Sequence, residues 1–366
     1  MFGWILMILL VCVCFFIADS TFGQPRKVFL LIGMGIIVFF SVFRFDVGWD
    51  YSVYWTLPVP IEDGWDALWR EYEWRSAYAE FSRFEPMARF FYLIAAYFDC
   101  RILLFVIYGV LTYSLIFSTI LRYAKDPVTS ILAFLAFNYL IPLGEMRQGL
   151  AIAIVFFSLR YIIDKQPVRF LFCIALAGLG HFSAFAMVLL YPLYHFFSFR
   201  MTFITTIILL VCGEIVQSTI LSSTRYQGYL DFESVGGRYL RLIFIFIFIL
   251  LYCATHFFSS KEDKEGNIAL LKICLIGVTF PFIFGNHIGG RISNYFNIYQ
   301  TLLFSNALIM VNQKHLMFRM LLHLLLVSYF FLLIFWSSLS PTRKSPFIPY
   351  RCYFFTDTNV YEERIF

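Results

Sequence analysis

The chain has 366 residues, of which 61% are hydrophobic, 21% aromatic and only 14% charged, with a formal net charge of +5. Soluble domains carry about 25% charged residues, so these values exclude a water-soluble globular protein and describe a polytopic helical membrane protein. The positive balance comes without a dense basic run, which argues against nucleic acid as a partner and leaves the lipid bilayer as the first one.

In chain order, apolar runs predict spans near residues 2–18, 28–43, 102–121, 128–142, 149–163, 167–180, 182–199, 201–220, 240–258, 268–285, 292–311 and 317–337. At ~20 residues per crossing, this gives an all-α bundle of about 12 transmembrane helices in one integral domain, 1–366. No Lys or Arg precedes the first run, whereas Arg26 and Lys27 follow it. That order does not suit a cleaved signal peptide; it predicts a retained span entering from outside, residues 19–27 cytoplasmic and both termini outside. Residues 44–100 then form an outer segment, and residues 338–366 an outer tail. Within the outer segment, 86–99 (PMARFFYLIAAYFD) is apolar but short, and predicts a helix dipping partway into the outer leaflet. Five of the seven tryptophans, Trp49, Trp55, Trp65, Trp69 and Trp74, lie in the same segment. The spacing of Trp65, Trp69 and Tyr72 predicts an amphipathic surface helix, with an interfacial belt and sugar-stacking platforms both open as its use. Most of the eight cysteines lie inside apolar runs and read as small buried hydrophobes.

Under this topology seven of eight lysines are inner: Lys27, Lys125, Lys165, Lys261, Lys264, Lys272 and Lys314, with Lys344 outside. Arginine goes the other way, with fourteen of twenty outside. Both carry one positive charge, so the positive-inside rule cannot explain the split. Arginine's planar fork suits phosphate or carboxylate, which leaves two readings: phosphate recognition on the outer face, or pairing with headgroups and loop acids.

Several ionisable residues from distant turns fall on that face: Arg44, Asp46, Asp50, Glu85, Glu145, Arg147, His181 and Arg291. Charge at membrane depth is costly, so a cluster of it usually marks a site. The expectation is one cationic cavity, in which arginines hold a diphosphate leaving group and a carboxylate takes a proton from a sugar hydroxyl. Asp46 and Asp50, four apart, share a face if their segment is helical, while Gly48 between them allows a turn instead. His181 is a second candidate base, a buried structural histidine being the alternative. There is no GK[ST] phosphate loop, no His/Cys/Asp spacing for a metal, and no cytoplasmic segment large enough for a nucleotide sugar, so no cofactor is expected. A donor would be lipid-linked.

The motifs carry a resemblance. RFDVGWDYSVYW (44–55) resembles the R-x-x-x-G-x-D-Y-x-x-Y signature of the EpsG family of Wzy-like polysaccharide polymerases. FEPMARFFYLI is similar to that family's E-P-x-F segment, with Met87 and Ala88 departing from its spacing. MRQGLAIAI, GHFSAF, RISNYF and FIPYR are similar to its later motifs, in order, from residue 44 to about 351. The resemblance implies a GT-C-like, Wzy-type glycosyltransferase of the bacterial inner membrane with an external active site. It would transfer a growing O-antigen, capsule or exopolysaccharide chain from undecaprenyl diphosphate to a sugar hydroxyl of the incoming lipid-linked unit. Its partners are then undecaprenyl-diphosphate-linked donor and acceptor, with a chain-length regulator left open. The resemblance marks positions and not roles; the roles expected here are Asp50, His181, Asp46 and Glu85 as catalytic candidates and Arg44, Arg147 and Arg291 for the diphosphate. Tyr51, Tyr54, Gln148, Ser183 and Tyr295 line the glycan pocket. The competing readings are a flippase for lipid-linked oligosaccharide, which should show internal repeats, and a membrane acyltransferase, for which His181 alone is thin support. A purely structural subunit would not need so many outer arginines.

Overall fold

The computed structural model describes residues 1–221, 235–258, 261–311, 316–339 and 345–356. Most of the hydrophilic stretch 221–239, Lys314, Lys344 and the tail beyond 356 lie outside the described residues. Those described are helical with no β-strand; an isolated antiparallel bridge joins Arg44 to Cys352. The protein is an all-α polytopic membrane protein.

Among the described residues, six helices are long and apolar enough to cross a membrane: Phe2–Ser20, Gln24–Val42, Arg101–Tyr123, Met146–Ile163, Asp263–Phe284 and Arg319–Ser338. The first shows why. Trp4, Met7 and Val11 are buried while Phe2, Leu9 and Phe16 are exposed, so it is apolar all round, which only a lipid neighbour tolerates. Gly23, in a left-handed conformation, lets the chain turn into the second helix, which Pro25 starts.

Of the other apolar runs, 167–180, 201–220 and 240–258 fall in single helices, Pro167–Gly180, Phe199–Leu221 and Val235–Phe258, and three are segmented. Residues 128–142 break into Pro127–Phe137 and Leu140–Gly144; 292–311 break into Gly290–Asn297 and Gln300–Val311. Residues 182–199 start as a 3-10 helix, Phe182–Leu189, continued by Leu190–His195. Breaks near residues 138–145 and 285–290 lie at one end of the bundle. Irregular backbone at such a place is tolerated only where it is buried in protein or lines a polar cavity.

Two sets of contacts define the two ends. At one, Arg319 pairs with Asp19 and Asp126, Lys125 with Asp263, and Lys272 donates to the Tyr194 and Phe197 carbonyls. At the other gather the turns that follow Val42, precede Pro86, join Gly144 to Met146 and join Gly180 to Phe182. A strap from the C-terminal region crosses this second end. Phe45 N–H donates to the Arg351 carbonyl (2.9 Å), Gly48 N–H to Pro346 (2.7 Å) and Tyr353 N–H to Phe43 (2.8 Å). The Trp4 indole donates to the Phe347 carbonyl at 2.7 Å.

One local expectation is corrected, and one pair of alternatives is decided. The 3-10 helix Ile61–Leu68 ends before Trp69, and its Gly64 is left-handed, so Trp65, Trp69 and Tyr72 do not share one helical face. Asp63 folds the chain back instead, accepting from Arg70 at 2.6 Å and Tyr72 at 2.5 Å. Asp46 and Asp50 do not share a face either. Their segment is a turn, with Asp46 at φ 53° and Gly48 at φ 119°, and a Cβ at Gly48 would strike the Leu143 carbonyl.

Candidate active site

The turn after Val42 is built around Arg44. Its guanidinium is buried and donates from Nε to the Val47 carbonyl (2.9 Å), from Nη2 to Leu143 (3.0 Å) and from Nη1 to Ser41. The Phe105 ring packs at 5.3 Å and Tyr51 at 5.9 Å. These bonds close the turn on itself and tie it to the 138–145 break. Arg44 is therefore placed among backbone carbonyls and enclosed, a correction to the expected diphosphate ligand: no face of it is open to an anion. Asp46 points to Arg351 at 2.9 Å, at the strap and away from the other acids. Tyr51 is buried and stacks on Phe105 at 4.6 Å, a packing residue rather than part of an open pocket.

Asp50 is the residue this turn presents. Its N–H donates to the Gly144 carbonyl (3.3 Å), which fixes it over the broken helix. Its half-buried carboxylate makes no hydrogen bond or ion pair among the described residues. Burial pushes its pKa up, and Arg291, Arg147 and His287 pull against that shift, which places all three within electrostatic reach.

Around it stand two arginine–carboxylate pairs. Arg147, in the first turn of the helix Met146–Phe157, pairs through Nη1 with Glu85 and lies 4.1 Å over the Phe84 ring. Tyr54 faces the same guanidinium, whose Nε is buried without a partner. Glu85 is the residue before Pro86, where an extended backbone starts the helix Pro86–Tyr97. Arg291, in the first turn of Gly290–Asn297, donates from Nε to Glu145 at 3.1 Å. Gln148 ties the two turns together, donating to the Arg291 carbonyl at 2.5 Å. Burial pushes the Glu145 carboxyl up, Arg291 opposes this, and Asp50 adds to it.

His181 joins from a third turn. Its Nδ1 lies 2.7 Å from the Ser183 hydroxyl, which lies 3.0 Å from the buried Tyr295 hydroxyl. Burial pushes His181 down to about 4; Glu85 pulls against this, while Arg147 and Arg291 add to it. The imidazole is neutral near pH 7 and able to accept or relay a proton.

Glu85, Gln148, Arg147, Arg291, Asp50, Tyr54, His181, Ser183 and Tyr295 thus come together; Arg44, Asp46 and Tyr51 support the turn beside them. The cluster is not a cationic cavity: Asp50, Glu85 and Glu145 face Arg147 and Arg291. Arg291 is the more accessible arginine, 38% exposed, with its terminal nitrogens uncommitted among the described residues. Sequence reasoning saw Glu145 without giving it a role and passed over His287, whose only signal was its glycine-rich turn, GNHIGG. Among the described residues no group of three or more His, Cys, Asp and Glu is arranged to hold a metal ion.

A family model described as the EpsG family matches residues 27–352. The chain belongs to the EpsG family. That membership fits a membrane protein of the polysaccharide-polymerase type. No curated protein and no solved structure matches the chain. The residues of the cluster described above, from Arg44 to Tyr295, fall within the matched span.

Proposed function

We propose that this EpsG-family protein is a Wzy-type polymerase. It transfers a growing glycan from undecaprenyl diphosphate to a sugar hydroxyl of an incoming lipid-linked repeat unit. The proposed setting is the bacterial inner membrane, with the Asp50 end facing outward. The observation that carries the reading is Asp50, half-buried and without a hydrogen bond or ion pair among the described residues, between two arginine–acid pairs delivered by three separate turns.

In the proposed step, Asp50 accepts the proton of the acceptor hydroxyl as its oxygen attacks the anomeric carbon. The bond from that carbon to the diphosphate oxygen breaks, and the lipid diphosphate leaves with the bonding electrons. Arg291 binds the leaving group with its terminal nitrogens, giving up part of its hold on Glu145. Charge-assisted bonds of this kind, aimed at developing negative charge, are a main source of catalysis in such transfers. Arg147 supplies a second, less accessible cation, held by Glu85. His181, Ser183 and Tyr295 position one wall of the pocket, Gln148 fixes Arg291, and residues 44–100 supply the outer wall.

The test is the glycolipid pattern of a deletion strain complemented with wild-type or Asp50→Asn protein. Single repeat units on the lipid core, unrelieved by Asp50→Asn, support polymerisation. Loss of all external repeat units points to a transporter, and normal long chains in the deletion strain overturn the proposal.

A further inference from the structure

A cavity of about 130 Å³ lies beside the Arg147–Glu85 pair, walled by the chain after Tyr54, the helix Pro86–Tyr97 and the start of Arg101–Tyr123. Its side chains are mostly aliphatic, Leu57, Val59, Ile61, Ala95, Ala96 and Leu104, with Tyr54 and Tyr92 at the inner end. Tyr54 is a shared wall: one side lines the cavity and the other faces Arg147. Tyr92 donates from its hydroxyl to the Tyr54 carbonyl at 3.3 Å, which holds that wall in place. The charged members, Asp99 and Arg101, are exposed at the mouth, where Arg101 donates to the Trp55 carbonyl. Arg101 also opens a 23-residue membrane helix. The mouth therefore sits at the first turn of that helix, next in the chain to exposed Tyr97 and Phe98.

Whole-ligand pockets run to about 300–1,000 Å³, so this space suits one part of a larger molecule. An aliphatic chamber opening at the lipid boundary, one tyrosine away from a half-buried arginine, matches a molecule with an apolar chain joined directly to a phosphate. We infer that the cavity holds the first isoprene units of the polyprenyl carrier, next to its phosphate. The polymerase reading supplies the identity of that lipid. The cavity sets the carrier's depth: with the Tyr54 side chain turned aside, the phosphate reaches Arg147 and Arg291 while the remaining chain runs into the bilayer. A branched, unsaturated chain fits these walls; a sugar would need more donors and acceptors inside than the mouth residues supply.

The cavity contains its own reporter, Cys100, a free thiol on its lining. The full-length protein in detergent would be treated with N-ethylmaleimide, and alkylation of Cys100 and of Cys352 quantified on separate peptides by mass spectrometry. Undecaprenyl phosphate, inorganic pyrophosphate or neither would be added. At a lipid concentration about ten times its Kd, free protein falls to roughly a tenth, so Cys100 alkylation should slow about tenfold. Cys352 and the pyrophosphate arm should be unchanged. In Ala96→Phe, which fills the chamber, the ratio of rates with and without lipid should return to one. No slowing of Cys100, equal slowing of Cys352, or equal protection by pyrophosphate alone would overturn the inference. The readout is binding, so it stands apart from polymerisation: protection in a protein whose deletion leaves long chains intact would keep the cavity assignment and remove the polymerase reading.

Discussion

Glu145 and Arg291 lie 146 positions apart in the chain, yet the arginine Nε is 3.1 Å from the carboxylate. The pair bridges two broken helices at the end of the bundle where Asp50 sits. Partly exposed ion pairs contribute only ~0–1 kcal/mol, so stability is a weak reason for its presence. A role in the transfer predicts a different pattern. Glu145→Gln should leave folded yield and thermal stability in detergent nearly unchanged while lowering polymer output. Arg291→Gln should lower output further, and the double variant should be no worse than Arg291→Gln, because both changes act on one guanidinium. Additive losses in chain length on gels would separate the two residues.

Arg147 tests whether the fork or the charge matters. It pairs with Glu85 through one nitrogen, lies over Phe84 and faces Tyr54, a planar arrangement an ammonium cannot reproduce. Arg147→Lys should keep the protein folded yet lower polymerisation at least about tenfold, corresponding to ~1.4 kcal/mol of lost transition-state stabilisation. Full activity in the lysine variant, measured on lipid-linked repeat units with purified protein, would reduce Arg147 to a point charge.

Arg44 predicts the opposite outcome, loss of the fold. Truncation to alanine strands the carbonyls of Ser41, Val47 and Leu143, at ~1–3 kcal/mol for each buried group left unsatisfied. Arg44→Ala should therefore give little monodisperse protein on size-exclusion chromatography, whereas Arg291→Ala should elute normally. Equal elution with selective loss of activity in Arg44→Ala would return it to the substrate.

The contrast between these arginines shows what the sequence could carry. Spans, the turns between them and the end those turns share follow from hydropathy and alternation, because lipid forces a near-binary choice at each stretch. The convergence of Asp50, Glu85, Arg147, His181 and Arg291 was legible for that reason. Arg44 ends a span just as Arg291 begins one, and nothing local distinguishes them. Its partner Leu143 is 99 positions away, and only the fold shows that its fork is occupied by carbonyls. The balance of charge was hidden likewise, since Glu85 and Glu145 became counter-ions only when their turns met the arginines. The Trp65–Tyr72 spacing misled because Gly64 and the bonds to Asp63 overrode a periodicity too short to enforce a helix.

His181 and Asp50 both give the site a pH dependence on the acid side. His181 is lowered to about 4 from an ordinary value near 6.5, so its neutral form is favoured by folding. That contribution is complete above about pH 6.5 and is lost as pH falls toward about 4. Asp50 is raised, so it binds its proton earlier on acidification than an ordinary aspartate and stops serving as a base. Activity of the purified protein should stay level near neutral pH and decline on acidification, as Asp50 and, at about pH 4, His181 take up protons. His181→Gln should retain the decline if Asp50 sets it, and Asp50→Asn should be inactive at every pH. A wild-type profile that rises on acidification would contradict a neutral histidine and an ionised aspartate together.

The strap over the Asp50 turn offers a last contrast between two of its own residues. Arg351 pairs with Asp46 at 2.9 Å, but both side chains are well exposed, so solvent screens the pair and ~0–1 kcal/mol is at stake. Asp46 also holds a left-handed conformation, which Asn tolerates and a β-branched residue does not. Arg351→Ala and Asp46→Asn should thus fold and polymerise nearly as the wild type does, while Asp46→Val should not. Phe347, four residues before Arg351, is fully buried, meets Trp49 edge-on at 4.8 Å, and gives its carbonyl to the Trp4 indole. Phe347→Ala opens a cavity at ~3–5 kcal/mol, a cost that falls on the turn holding Asp50. Thermal unfolding of the variants in detergent, paired with polymer length in cells, reads both effects. A severe Arg351→Ala phenotype with normal melting would move Arg351 and Asp46 from support of the turn into contact with substrate.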